Sequence, residues 1–308
     1  MLSIIWNITN RCPWDCVFCV TDAGESCMRP ELTYQEKLQV VKNLQGVDCR
    51  IDLSGGEVML NRTDHLPIIE KLSHMFGKER IGISCSGAFI NNSEAEFLAK
   101  HIADVEMTMD AHPDVDFLRR PKGYHSTAAK AATKLMAKGV VIGFQTVVTR
   151  DHLENPTLFS SLHSWLKEHN VPVWSLIRYF PSGRGVNFPE LALSVSENLE
   201  IVNYAKVLCA GTGSPKLDIH YLMPGTNKDA RCRCVRKSIG ILPNGDVTSC
   251  FWGLDANGDI SNSKFFLGNI LQSPLVDILN SNNAKYWLKH SGACPLESDG
   301  GVTNVLTA

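Results

Sequence analysis

Asn10 to Gly24 reads NRCPWDCVFCVTDAG, and the reading of the whole chain turns on it. Cys12, Cys16 and Cys19 stand at Cys-x3-Cys-x2-Cys spacing directly behind a short β-branched run, SIIWNIT at 3–9. Three thiols are an awkward number. A disulfide leaves one over, and a structural zinc site takes four protein ligands. A cubane iron–sulfur cluster has four irons, so three thiolates would leave one iron for a ligand that is not protein. A loop behind the first strand also lies at the carboxyl end of the sheet, where α/β barrels gather their chemistry.

Working outward, CRIDLSG at 49–55, RIGISCSG at 80–87, DVEMTMD at 104–110, VVIGFQTVV at 140–148 and VPVWSLIRYF at 171–180 bring the expected strands to six. Between them Thr33-x-x-Glu36 and Ser93-x-x-Glu96 have capping-box form, and further helical patterns run near 64–76, 124–138, 155–169 and 194–209. Strand–helix units of about thirty residues argue for parallel strands with right-handed crossovers. Six such units predict an open, partial (β/α)6 TIM-like barrel over residues 1–211. Beyond 212 the texture changes. GTGSPK reads as a linker and LDIHYL as a short strand. SIGILPNGDVTSCFW at 238–252 reads as a hairpin, followed by a helix around 274–289 and a Gly-rich tail. A small second domain is therefore expected over 212–308.

Composition narrows the function. The chain has 308 residues, 44% of them hydrophobic and 20% charged, with a formal net charge of −2. No basic run recommends nucleic acid or an anionic membrane as a partner. The start MLSIIWNITN lacks a signal-type region, and no apolar window approaches a membrane span, so a cytoplasmic protein is expected. In that reducing compartment the 11 cysteines are expected to be ligands or catalytic thiols. Seven fall into two groups: Cys12, Cys16 and Cys19 near the start, and Cys232, Cys234, Cys250 and Cys294 near the end.

The first group, with Phe18 just before the third cysteine, resembles the signature of the radical S-adenosylmethionine (SAM) superfamily. The resemblance implies a 4Fe–4S cluster on Cys12, Cys16 and Cys19 with SAM at the open iron. It also implies reductive cleavage of SAM to a 5′-deoxyadenosyl radical that abstracts hydrogen from substrate. SGGE at 54–57 stands behind the second strand, where Gly55 and Gly56 permit close backbone approach and Glu57 supplies charge. The resemblance assigns Ser54 to Glu57 to the methionyl ammonium. Because this loop is separate from the cysteines, a Gly56→Val change is expected to weaken SAM binding and spare the cluster. Ser86, in ISCSG, occupies a position where the family often has a Thr-Asn-Gly-like ending. MTMDAH at 107–112 resembles the family's Ser-x-Asp-Gly, with Thr108 keeping a hydroxyl for a ribose contact. Arg119 and Arg120 are both candidates for the SAM carboxylate, and Gln145 and RYFPSGRG at 178–185 are further carry-overs.

Cys234-x10-Gly245-x4-Cys250, a long gap and Cys294 resemble the SPASM/twitch extension, as does FFLGNILQSPLVDIL at 265–279. A single auxiliary 4Fe–4S cluster is expected, with Cys232 as its fourth ligand or with three protein thiolates and one thiol left over. An auxiliary cluster suits oxidation, because it can accept an electron; a leftover thiol suits epimerisation, with Cys250, Cys209 and Cys85 as candidate hydrogen donors. Since 11 residues precede Cys12, a small polar or carbohydrate-like substrate is expected. A maturase acting on a ribosomal peptide or protein is the alternative, and a non-catalytic iron–sulfur scaffold is the rival of another class. A reducing partner such as flavodoxin or ferredoxin follows from the chemistry.

Overall fold

The computed structural model describes residues 1–117, 119–211, 213–226, 231–290, 292 and 294–296. Strands β1 (Leu2–Thr9), β2 (Cys49–Gly55), β3 (Ile81–Cys85), β4 (Asp104–Thr108), β5 (Val141–Val148) and β6 (Val173–Arg178) pair in parallel, each with the next. Helices α1 (Tyr34–Asn43), α2 (Arg62–Phe76), α3 (Asn92–His101), α4 (Tyr124–Met136), α5 (Arg150–Glu154) and α6 (Thr157–Glu168) make the crossovers. The six-unit open barrel expected from the sequence is thus present, and it is longer than six strands. Helix α7 (Val195–Cys209) leads to β7 (Lys216–Ile219), which adds to β6 in parallel.

The other edge is extended as well. Strand β8 (Ser238–Ile241) lies parallel to β1, Ser3 opposite Ser238 and Trp6 opposite Ile241. Strands β9 (Asp246–Thr248) and β10 (Phe266–Asn269) then follow antiparallel. One sheet therefore runs β10-β9-β8-β1-β2-β3-β4-β5-β6-β7. The hairpin carrying the second cysteine group is welded to the strand that launches the first.

Strands covered on both faces usually read as continuous apolar runs. Here they alternate. Ile4, Trp6, Ile8, Ile51, Leu53, Ile83, Val105, Met107, Ile142 and Phe144 are buried against the helices. Their neighbours Ser3, Arg50, Asp52, Ser54, Ser84, Asp104, Glu106, Thr108 and Gln145 point the other way and are only partly buried. Opposite side-chain directions at successive positions therefore separate an apolar layer from a polar lumen. Burying each large side chain in the apolar layer is worth about 1.5–3 kcal/mol, which supplies the rigidity the lumen itself cannot.

Local signals set most helix ends. Thr33 caps α1, accepting from the Glu36 amide at 3.3 Å while Glu36 accepts from the Thr33 amide at 2.7 Å. The second capping box sits two residues earlier than expected. Asn91 caps α3, accepting from Ser93 N at 2.8 Å and Glu94 N at 3.3 Å, so Ser93 falls inside the helix. Asn is as strong a cap as Ser and has Glu94 at the required third position. The helix expected over 274–289 is two pieces, α8 (Leu275–Ile278) and α9 (Asn282–Lys289), divided where Ser281 caps the second. The expected Gly-rich tail, and the linker position 212, lie outside the described residues. Among the described residues no helix is long and apolar enough to cross a membrane.

Candidate active site, two cysteine centres on one sheet

The loop after β1 closes on itself. Gly24 N donates to Asn10 O at 3.1 Å and Cys12 N to Gly24 O at 3.3 Å, making a ring that carries all three cysteines. Inside it Cys19 N donates to Cys16 O at 3.3 Å, and Cys19 Sγ accepts from Ala23 N at 3.4 Å. Burial pushes the Cys12 thiol up to about 12 and raises Cys16 as well; in both cases the neighbouring cysteines of the triplet add to the effect. The next cysteine along, Cys27, is instead held by Arg29 Nε at 3.4 Å.

A Gly-Gly pair and a Gly-Arg pair clamp this ring. Gly56 N donates to Thr9 O and Glu57 N to Arg11 O, both at 2.8 Å, so the Gly-Gly-Glu turn continues the pairing of β2 with β1 into the cysteine loop. A Cβ on Gly55, whose φ is +126°, would stand 2.4 Å from Thr9 O, and one on Gly56 would stand 2.1 Å from Arg11 O. The expectation that Gly56→Val spares the cluster is therefore corrected: the substituent would strike the cluster loop itself. The second clamp lies behind β6. Gly183, at φ +55°, leaves room where a Cβ would lie 2.3 Å from the carbonyl oxygens of Cys19 and Val20. Arg184 then donates from Nε to Cys16 O at 3.0 Å and from Nη1 to Ala23 O at 2.9 Å, and pairs with Asp22 at 3.0 Å. RYFPSGRG carried that signal as a Gly-Arg pair behind β6.

Glu57 is fully buried, and its carboxylate faces inward. It accepts from Met59 N at 3.0 Å and Ser86 N at 2.9 Å and from the Ser86 hydroxyl. Ser86 Oγ in turn accepts from Trp14 Nε1 at 2.8 Å, so one chain of bonds joins the ends of β2 and β3 to the cysteine loop. Ser54 lies opposite Asn7 on β1.

The two candidate arginines take different positions. Arg119 pairs outward with Asp151 at 3.0 and 3.1 Å. Arg120 is buried, pairs with Asp110 at 2.6 Å and lies 4.6 Å from the Phe18 ring centre, beside Cys16. Burial alone would raise the Asp110 carboxyl, but Arg120 and His125 hold it well below the ordinary range. Asp110 also accepts from Val147 N at 2.9 Å, which makes it the anchor for Arg120. Thr108 is within hydrogen-bond reach of Tyr124, whose ring packs edge-on to Trp14 at 5.4 Å. Gln145, opposite Thr108 on β5, turns its amide to the Glu106 carboxylate.

Two of the three candidate hydrogen-donor thiols are corrected. Cys85 continues the alternation of Ile81 and Ile83, pairs in register with Met107 and packs in the apolar layer, away from the lumen. Cys209 ends α7, and the chain from there re-enters the sheet at Lys216, opposite the first residue of β6. That places it at the amino ends of the strands, across the sheet from the cysteine loop. Cys250 belongs to the second centre.

In that centre Cys232, Cys234, Cys250 and Cys294 line one small pocket with Tyr221, Ser249 and Trp252. Cys234 hydrogen-bonds both Cys232 and Cys250, which raises its thiol strongly, while the bond from Cys234 lowers the Cys232 thiol. Tyr221 feels Cys250, Cys234 and Cys294 together, and Ser249 Oγ is buried without a partner. Among the described residues no three of His, Cys, Asp and Glu close around a single ion. A cubane has a different requirement, because its thiolates bind separate irons.

Residues 6–155 match the radical SAM superfamily, and residues 232–297 match the SPASM iron–sulfur cluster-binding domain. The chain carries a radical SAM domain followed by a SPASM domain. The first implies a 4Fe–4S cluster with SAM and the second auxiliary iron–sulfur binding. The donor sets fit both: three thiols on a closed loop whose backbone is gripped at two glycine contacts, and four thiols converging on one pocket. Mycofactocin maturase MftC of Mycolicibacterium smegmatis is 25% identical over 280 residues, 88% of this chain and 67% of that protein. Fe-coproporphyrin III synthase of Methanosarcina barkeri is 24% identical over 204 residues, 65% of this chain and 49% of that protein. The chain thus matches about half the length of that synthase. Among solved structures, anSMEcpe with bound AdoMet superposes with a TM-score of 0.68 at 17% identity, covering 93% of this chain and 83% of that one. Streptococcus suis SuiB bound to precursor peptide SuiA gives 0.69 at 15%, covering 91% and 65%.

Proposed function

We propose that Cys12, Cys16 and Cys19 hold a 4Fe–4S cluster whose open iron takes SAM, that Cys232, Cys234, Cys250 and Cys294 hold one auxiliary cluster, and that the enzyme modifies a peptide. When bound, the reduced cluster and SAM supply one-electron cleavage of the sulfonium and hence hydrogen abstraction. The protein's part is positional. Gly55, Gly56 and the Gly183–Arg184 pair fix the cysteine loop against the strand ends. Arg120, held by Asp110, places a positive charge beside Cys16, and Thr108 presents a hydroxyl at the top of the lumen. The division of labour falls near residue 211, with the barrel unit over 1–211 and the auxiliary unit over 212–308, although the two share one sheet.

The observation that carries the peptide reading is the similarity to the mycofactocin maturases, which spans 88% of this chain. The fold similarity to SuiB in complex with a precursor peptide points the same way. It replaces the expected small polar or carbohydrate-like substrate, for which the only support was the count of residues before Cys12. The glycines of the Gly-Gly-Glu turn are explained by packing on the cysteine loop, so they do not by themselves separate an enzyme from a scaffold.

An assay separates these readings. Anaerobically reconstituted protein, given SAM and dithionite, is expected to form 5′-deoxyadenosine, and the Cys12→Ala/Cys16→Ala/Cys19→Ala variant to form none. With peptides encoded by neighbouring genes, a mass change in the peptide supports the maturase. No 5′-deoxyadenosine from the unmodified protein establishes the scaffold instead.

A further inference from the structure

The lumen of the barrel holds a polar group that the cysteine centres do not use. Asp52, Asp104, Glu106 and Gln145 face inward from β2, β4 and β5; Asp218 on β7 continues the Gln145 row but is exposed. One cation stands among them, Arg50, and it is spent on Asp52 at 2.9 Å and Asp104 at 2.7 Å. Among the described residues no cation lies within salt-bridge distance of Glu106; Arg50 acts on it only at longer range, and Lys216 on β7 is exposed. Glu106 is oriented by the Gln145 amide and sits one row below Thr108. A second observation comes from β1, on the same lumen face of the sheet. Asn7 is 1% exposed, lies in the row that runs through Ser54 and Ser84 to Glu106, and its Oδ1 accepts no hydrogen bond. A buried acceptor without a donor is costly unless something brings one.

We propose that this lumen is a specificity pocket for a cationic, donor-rich group of the substrate, the ammonium or guanidinium of a lysine or arginine side chain, with Glu106 as its counter-ion and Asn7 as a further acceptor. The inference rests on the peptide reading above and names what the peptide presents. Burial, reinforced by Asp52 and Asp104, pushes the Glu106 carboxyl up to about 7. An arriving cation favours the ionised form, so binding expels a proton near neutrality.

The test uses the reconstituted, SAM-loaded enzyme and two uncharged-backbone probes, Nα-acetyl-lysine amide and its deamino analogue Nα-acetyl-norleucine amide, followed by calorimetry. The lysine probe is expected to bind at least about tenfold more tightly, the discrimination one charge-assisted hydrogen bond provides, and Glu106→Gln to remove that preference. Should Glu106→Gln fail to fold, the unmodified enzyme answers alone: titrations in two buffers of different ionisation enthalpy are expected to show proton release on binding the lysine probe near pH 7. Equal binding of the two probes, no binding of the lysine probe, or binding without proton release overturns the pocket. If the unmodified enzyme cleaves SAM yet shows no lysine preference, only this inference falls. If it does not cleave SAM, the enzymatic reading falls with it.

Discussion

The two cysteine centres are built in opposite ways. The first draws three thiols from eight residues of one loop, and that loop is shaped by contacts from elsewhere: the Gly55–Gly56 turn behind β2 and the Gly183–Arg184 pair behind β6. The second gathers four thiols from positions as far apart as Cys232 and Cys294, and Cys234 contacts Cys232 and Cys250 directly. Local sequence therefore supplies the ligands of the first and long-range backbone approach supplies its shape. In the second, long-range folding supplies the ligands themselves. Both hang on β1, one from its carboxyl end and the other from its parallel pairing with β8.

That contrast can be broken at several points. The largest effect is expected from Gly56→Val and Gly183→Val, each of which drives a side chain into a loop carbonyl that a Cβ alone already approaches at 2.1 or 2.3 Å. Both should abolish the first cluster's absorption and paramagnetic signals and leave the second centre's iron in place; retention of the first cluster in Gly56→Val would undo the clamp. Cys250→Ala should do the converse, removing auxiliary iron while the protein still produces 5′-deoxyadenosine, because the first loop owes nothing to Cys250. A smaller change is expected in the lumen. The Glu106 carboxyl, raised from the ordinary 4.5 to about 7, stays protonated in the native state while the unfolded chain ionises. Stability is thus lost as pH rises from 4.5 through 7, and Glu106→Gln removes that loss. Its melting temperature should exceed that of the unmodified protein by roughly 2–4 °C above neutrality, the gap closing toward pH 5. Least of all, Thr33→Ala should cost about 1 kcal/mol through its lost cap, by chemical denaturation, and leave both centres loaded.

How much of this was legible follows the same divide. The strands β1 to β6 were readable to within about three residues, because β-branched runs and helical spacing are local. Cys12, Cys16 and Cys19 were readable for the same reason. The alternation in RIGISC could have placed Cys85 on the apolar side, since it keeps step with Ile81 and Ile83. It could equally have exposed the lumen, because Arg50 and Asp52, and Asp104 and Glu106, occur two apart in strands otherwise apolar. The docking of β8 on β1 had no local trace, since a parallel pair across more than two hundred residues is decided by tertiary packing. The placement of Cys209 needed the direction of α7, which follows from β7 joining the sheet. Asn91-x-x-Glu94 and Ser93-x-x-Glu96 both have capping-box spacing, and only the backbone distinguishes them.

The central claim is that one sheet carries two separate four-iron centres, and iron counting tests it most directly. Anaerobically reconstituted protein should hold about eight irons per chain, with about four remaining in the Cys12→Ala/Cys16→Ala/Cys19→Ala variant and about four in the Cys232→Ala/Cys234→Ala/Cys250→Ala/Cys294→Ala variant. About four irons in the unmodified protein, with none left after the first set of changes, would contradict it.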